Sequence, residues 1–421
     1  AQLLLAVAVV VAICKAAGWL SQRLGQPAVI GEITAGILLG PSVLGALWPA
    51  GAAALIPKAV MPQLNVLAQL GVILFVFLTG LELNTRMLRG RGHLAVVVSH
   101  VSIAVPFLLG VVLAVVAYAR FAPEGVGYLA FALFFGISMS VTALPVLVRI
   151  LMDLGLFRSE VGVVALTCAL VDDVTAWTLL ALVVALVTAS SLAGVFVTIG
   201  LTAAFVALLY LVAKPLLAKA VGRWSVSRLR TMAPLALVAV LVCAMATEWI
   251  GVHAMFGAFL FGMIFPRDNV VAEWLEEKVG GLTTALMLPL FFAYSGLRTE
   301  IGLLGANAEL WLWCGLILLV AVAGKLGGSA IAARAVGESW NRSVQVGALM
   351  NCRGLTELVV LNVGLDLGVL SPTLFTMLVI MALVSTAMAA PLASWLGRRD
   401  GQLVRVISTE PVARREERAA A

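Results

Sequence analysis

The chain has 421 residues, of which 62% are hydrophobic and 11% charged, with a formal net charge of +6. An ordinary soluble domain carries about 25% charged residues, whereas here apolar runs of about 20 residues, each able to cross a bilayer as a helix, recur along the whole length. That composition excludes a soluble globular enzyme and describes an all-α polytopic membrane protein.

Clusters of Gly, Pro and charge divide the chain into about thirteen predicted spans. They fall at about 1–22, 27–47, 62–83, 93–119, 126–151, 159–188, 193–218, 231–249, 251–265, 280–297, 309–335, 343–367 and 371–397. The first run is long enough to be a span and lacks the pattern of a cleavable signal. It carries Lys15, which can reach the inner interface by snorkelling. Span two holds Glu32 inside "GEITAG" (31–36), and span three ends in "LFVFLTGLE" (74–82). In span four His93 lies near the end, and the deeper His100 is expected to pack. Span five contains "SMSVTALPV" (138–146), where Pro145 removes a backbone donor and frees the Val141 carbonyl, so a helix break is expected near mid-depth.

Span six contains "CALVDDVTAW" (168–177), with Asp172 and Asp173 side by side near its middle. Each intramembrane charge costs about 2.5–3.5 kcal/mol on insertion scales. Neighbours on a helix point about 100° apart, so one carboxylate can meet a fixed cation while the other faces a cavity. Span nine carries "GAFLFG" (257–262), and span ten ends in "LFFAYSGLR" (290–298). Span eleven places Lys325 deep within "AVAGKLGGSA", among small residues that let helices approach closely. A buried Lys and a buried Asp keep each other charged when paired. A cation competing for the carboxylate would break the pair and let the lysine release its proton.

Span twelve carries "MNCRGLTEL" (350–358), a second expected break at Gly354. Arg353 stays charged at any relevant pH and reads as a counter-charge for the broken helix ends, neutralised by Glu357 or Glu32. Glu82, Glu248, His253 and Asp366 fall at or near span ends. The five cysteines, Cys14, Cys168, Cys243, Cys314 and Cys352, lie inside apolar runs without metal-ligand spacing and are expected to be packing residues.

With the N-terminus outside, twenty-one of the 27 Lys and Arg residues fall on the inner side and three, Lys58, Arg120 and Arg298, on the outer side. This positive-inside bias accounts for the net charge without a nucleic-acid partner. "LFVFLTGLE" and "LFFAYSGLR" share Leu-Phe, three residues, then Thr/Ser-Gly-Leu, on spans seven apart and therefore oppositely oriented. Together with the paired glycines of spans two and nine, they predict inverted five-helix repeats, 27–188 and 251–397. Residues 193–249 connect them, within a membrane domain of 1–397 that is followed by a basic tail, 398–421. Repeats of this kind are common in secondary transporters. Spans five and twelve then correspond, giving two discontinuous helices whose ends can face an ion.

The stretches "PAVIGEITAGILLGPSVLG" (27–45), "FVFLTGLELN" (75–84), "SVTALPVLVRIL" (140–151), "VDDVTAW" (171–177), "HAMFGAFLFGMIFP" (253–266), "LPLFFAYSGLRTE" (288–300) and "MNCRGLTELVVLNVGLDLG" (350–368) resemble the cation:proton antiporter-2 superfamily. They are closest to its plant-type cation/proton exchanger branch and to bacterial sodium/proton antiporters. The resemblance implies thirteen helices, a dimerisation domain and a core domain that moves like an elevator, in a homodimer. It implies that Asp173 is the principal ion-binding aspartate and Asp172 the family's variable first position, with Lys325 marking electrogenic members. Ser140 and Thr142 match the extended stretch whose oxygens help hold the cation. Members often carry a cytosolic regulatory domain after the last helix; residues 398–421 contain no nucleotide-binding fold.

The expected activity is exchange of a monovalent cation, Na⁺ or K⁺, for protons at a shared carboxylate site that includes Asp173 and Asp172. Hard oxygen ligands suit an alkali ion, and competition between proton and cation supplies the coupling without ATP or a cofactor. Two protons per Na⁺ would let voltage drive efflux, at about 2.3 kcal/mol per charge per 100 mV. A cation channel or potassium efflux system could use the same carboxylates, although no ring of repeated filter groups is evident. Intramembrane aspartyl proteolysis needs two carboxylates sharing a proton, which adjacent residues on one helix do not offer. The expected location is the inner or plasma membrane, with the C-terminus cytoplasmic.

Overall fold

The computed structural model describes residues 2–82, 92–157, 159–188, 192–221, 229–267 and 269–399. Of the inner-side charges counted above, Arg86, Arg89, Arg91, Arg158, Arg223, Arg228 and the tail beyond Arg399 lie outside the described residues. Regular structure among the described residues is helical. The main helices are α1 (Gln2–Arg23), α2 (Ala28–Leu39), α3 (Met61–Glu82), α4 (Gly92–Phe121), α5 (Tyr128–Ser140), α6 (Leu144–Asp153), α7 (Glu160–Thr188), α8 (Leu192–Leu208), α9 (Leu229–Ile250), α10 (Ala254–Ile264), α11 (Leu288–Leu297), α12 (Ala308–Ala335), α13 (Trp340–Met350), α14 (Leu355–Asp366) and α15 (Pro372–Arg399).

Among the described residues, eleven helical segments are long and apolar enough to cross a bilayer, and twelve if the bent pair α13 and α14 is one span. The ninth expected span is α10, a helix of 11 residues, and the expected count of about thirteen is not confirmed among the described residues. At 1.5 Å per residue α10 covers roughly half of the hydrocarbon thickness.

Glycines set the closest helix crossings. A Cβ on Gly36 of α2 would stand 2.3 Å from the Ala293 carbonyl of α11, and one on Gly296 would stand 2.4 Å from the Ile33 carbonyl. A Cβ on Gly80 of α3 would stand 2.4 Å from the Phe259 carbonyl of α10, and one on Gly262 would stand 2.2 Å from the Phe77 carbonyl. The second glycine of "GEITAG" thus meets the glycine of "YSGL", and that of "GAFLFG" meets the glycine of "LTGL". The first glycines behave alike: Gly31 lies against the Ala17 backbone of α1, and Gly257 against the Cys243 backbone of α9. Without a side chain, backbones approach to a distance that any other residue would forbid.

A second set of helices, α4 to α7 and α12 to α15, surrounds the two breaks. The α5–α6 span is interrupted by extended backbone at Val141–Ala143, and Pro145 occupies the first turn of α6, where its missing N–H has no helical partner to lose. The α13–α14 span bends by 45° at a break ending in Gly354. The two breaks cross, with the Ala143 N–H donating to the Cys352 carbonyl at 3.1 Å. A Cβ on Gly354 would lie 2.6 Å from Val146 Cγ2, so the crossing favours glycine there.

Candidate ion site at the crossed breaks

A broken helix leaves its last carbonyls without intrahelical donors. At the C-terminal end of α5 two cations supply them. The Arg353 guanidinium donates to the Ser138 carbonyl at 3.2 Å and to the Met139 carbonyl at 2.6 Å. Lys325 Nζ donates to the Ser140 carbonyl. Both cations are fully buried, and the negative end of the α5 dipole is what they face. Arg353 also pairs with Glu357 at 2.7 Å. Its backbone is tied to α15, where Thr386 Oγ1 accepts from the Arg353 N–H and reaches the Arg353 carbonyl, both at 2.8 Å.

Lys325 sits in a π-helical turn, Ala323–Gly327, within α12. Such a turn inserts a residue into the helical register and re-aims a side chain, and π-turns recur at functional sites. The flanking glycines bring α12 close to α4. A Cβ on Gly324 would lie 3.0 Å from Pro106 Cα, and one on Gly328 would lie 3.1 Å from Val105 Cβ. The small residues around Lys325 thus perform the close packing expected of them.

The two aspartates, adjacent on α7 and both buried, have different surroundings. Asp172 is surrounded by donors. Its Oδ1 accepts from Ser99 Oγ at 2.6 Å, and its Oδ2 from Thr142 Oγ1 at 2.7 Å and Lys325 Nζ at 3.1 Å. Ser102 Oγ lies 3.1 Å from Oδ1 and 3.0 Å from Oδ2. Among the described residues, Asp173 has one near donor, Thr356 Oγ1 of α14, at 3.5 Å. Turned by about 100° around the helix, the second carboxylate faces the α14 side of the break and keeps most of its acceptor capacity.

Asp172, Asp173, Thr142, Lys325, Arg353 and Glu357 therefore meet at the crossing, with some partners differing from expectation. Thr142 Oγ1 donates to Asp172 Oδ2 and also lies 3.2 Å from the Met350 carbonyl. Ser140 contributes its carbonyl to Lys325, while its hydroxyl bonds back to Ile137 of its own helix at 3.0 Å. Glu32 is not at the break: it lies on α2 and pairs with Lys15 of α1 at 3.8 Å. That leaves Glu357 as the carboxylate beside Arg353. Lys15, about half exposed, also donates to the Thr284 carbonyl at 3.0 Å.

Ser99, Ser102 and Thr356 were absent from the sequence-based site. The serines did leave a signal, two hydroxyls three apart on one helix face inside an apolar span. Thr356 left only its place beside a predicted break. All five cysteines are buried.

Residues 7–398 match the family described as sodium/hydrogen exchanger, transmembrane. The chain is 41% identical over 387 residues to the Na(+)/H(+) antiporter NhaS4 of Synechocystis sp., covering 91% of this chain and 94% of that protein. It is 37% identical to Cation/H(+) antiporter 18 of Arabidopsis thaliana and 34% identical to K(+)/H(+) antiporter 1 of Saccharomyces cerevisiae, over 92% and 89% of this chain. The matches span 48% and 44% of those two longer proteins, so the chain corresponds to about half of each. In fold it is similar to the sodium proton antiporter MjNhaP1 of Methanocaldococcus jannaschii at pH 8, with a TM-score of 0.71, 14% identity, and coverage of 95% of this chain and 99% of that one.

Proposed function

The chain belongs to the sodium/hydrogen exchanger family, and on that premise we propose that it exchanges a monovalent cation for protons at Asp173, with Asp172 and Lys325 as the fixed electrostatic partners of that step. The observation that carries this reading is the unequal bonding of the two aspartates. Asp172 has donors on both oxygens and an ammonium at 3.1 Å, whereas Asp173 has a single hydroxyl at 3.5 Å. A carboxylate with free lone pairs in a dry setting has two ways to be satisfied, a proton or a cation. The two are mutually exclusive, and that exclusion couples the fluxes.

In this mechanism Arg353 and Lys325 neutralise the carbonyl end of α5. When a cation settles on Asp173, the charge balance around Lys325 changes, and its proton is released to the same side. Thr356 Oγ1 stands beside the cargo carboxylate, and Thr142 Oγ1 donates to the neighbouring Asp172. Ser140 acts through its carbonyl. Cargo gradients drive the exchange, with no resident cofactor and no ATP. The charge bias along the sequence supports an N-terminus outside and a cytoplasmic tail, in a plasma or inner membrane. The mirrored glycine crossings support the inverted repeats 27–188 and 251–397. The family motifs of the sequence support a homodimer with a fixed dimerisation domain and a core domain that moves.

The test is proton flux in proteoliposomes with Li⁺, Na⁺, K⁺ and Rb⁺ titrated at several pH values under an imposed voltage. A lumenal pH change that follows the cation gradient and shifts with voltage is expected. A reversal potential independent of the proton gradient would replace the exchanger with a channel.

A further inference from the structure

We propose that Ser99 and Ser102 of α4 are positioning residues that hold the Asp172 carboxylate as the standing partner of Lys325, so that cargo exchanges on Asp173 alone. The inference rests on the exchange reading above. Its basis is the division of labour between the two Asp172 oxygens. Oδ2 is covered mainly by Thr142 of the first break and Lys325 of α12, with Ser102 Oγ of α4 also 3.0 Å away. Oδ1 is covered from α4, by Ser99 Oγ at 2.6 Å with Ser102 Oγ at 3.1 Å. Both serines and Asp172 are 0% exposed. The Ser102 proton also has the Ser99 carbonyl within reach at 2.8 Å, so Ser99 is the principal donor to Oδ1 and Ser102 its reinforcement.

Hydroxyl-to-carboxylate bonds of this length are charge-assisted and among the stronger ones. They give Asp172 a site that survives a change at Lys325. When the lysine gives up its proton, Ser99, Ser102 and Thr142 still donate to the carboxylate, so Asp172 need not take the proton and need not turn towards the cargo. Without the serines, Oδ1 loses its α4 donors inside a dry crossing. An uncovered carboxylate oxygen there draws the next available positive species, either a proton or the transported ion, and competition that belonged to Asp173 spreads to both aspartates. The other charged and titratable groups around the Asp172–Lys325 pair are Asp173 and Cys168 of α7, together with Cys352, Arg353 and Glu357 of the second break. His100, although between the two serines in sequence, is exposed and bonded to the Val96 carbonyl of its own helix.

The experiment compares wild type, Ser99→Ala, Ser102→Ala, the double variant and Ser385→Ala, each purified and reconstituted, by recording exchange against pH at fixed cation concentration. Ser385 is a buried control whose hydroxyl bonds back to Ala382 of its own helix. The double variant is expected to reach half-maximal exchange about one pH unit higher than wild type, the tenfold change that goes with losing one such bond. Ser99→Ala should move part of that distance, Ser102→Ala less, and Ser385→Ala should coincide with wild type. If the double variant fails to fold, the ordered displacement of the two single variants decides the matter. A wild-type profile in Ser99→Ala and in the double variant, or an equal displacement by Ser385→Ala, overturns the proposal. Absence of cation-driven proton flux in wild type would instead remove the exchange reading itself.

Discussion

Adjacent carboxylates on one helix serve two purposes only if their surroundings separate them, and at Asp172 and Asp173 the separation is made by hydroxyl count and by a lysine on a π-turn. On the proposed mechanism, Asp173→Asn removes the acceptor that proton and cation share, and cation-driven proton flux in proteoliposomes should fall to the level of empty vesicles. Asp172→Asn removes the charge that Lys325 answers to; exchange measured under imposed voltage should lose most or all of its voltage dependence. A different outcome is expected at Arg353. Its guanidinium lies 2.7 Å from Glu357, both are 0% exposed, and it covers two α5 carbonyls. Arg353→Met strands a buried carboxylate, which typically costs about 3–5 kcal/mol. Detergent-solubilised protein should show a large drop in thermal stability, with part of it recovered when Glu357→Gln is added.

Among the elements, reciprocal glycine contacts set how closely α2 approaches α11 and α3 approaches α10. The predicted consequence is sharp sensitivity at those positions. A Cβ on Gly262 would stand 2.2 Å from the Phe77 carbonyl, a backbone atom that has no rotamer to move. Gly262→Ala should therefore destabilise by about 1–3 kcal/mol, the range for overpacking, read as a fall in melting temperature. Gly281, where a Cβ would meet no atom within 4 Å, should tolerate the same change. The repeated motifs were visible in the sequence as matching short strings, but the strings do not say that each glycine's partner is the glycine of the other copy's motif. That pairing is a long-range contact, and nothing in a local pattern encodes which helix lies across from which.

At the scale of the molecule, polar links among the described residues join the helices around the breaks to α1–α3, α10 and α11. One lies at the ends of α11 and α14. Arg298 pairs with Asp366 at 2.7 Å and donates to Asn362 Oδ1 at 3.0 Å, and Asn362 in turn donates to Ser295 Oγ at 2.8 Å. A cavity lined by Asn65, Gln69, His253, Tyr294, Asn362 and Asp366 adjoins it. If α14 moves past α11 during transport, this link breaks in one orientation. The ion pair is partly exposed, at 18% and 42% for the two side chains, so it is worth about 0–1 kcal/mol. Arg298→Gln should accordingly alter the ratio of apparent cation affinities measured from the two sides by up to about fivefold, and Asp366→Asn should do the same in the same direction. Equal and unchanged affinities from both faces would show that the link does not report the orientation.

Much of this protein is dictated by composition and by local pattern. Long apolar runs force helices, because unpaired backbone groups are too costly in hydrocarbon. Proline and glycine mark the two breaks, and each ionisable residue at depth announces itself because its burial needs a reason. From those signals come the membrane class, the position of both discontinuous spans, the aspartate pair and the lysine that answers it. What the tertiary structure alone decided is partnership. It assigned Thr142 to Asp172, gave Ser140 its role through a carbonyl, sent Glu32 to Lys15, and brought two unremarked serines of α4 onto a carboxylate some seventy residues away. Hydrogen bonds of 2.6–3.1 Å depend on how helices distant in sequence settle against one another, and that settling is governed by glycine contacts and a π-turn whose geometry exists only once the helices have packed.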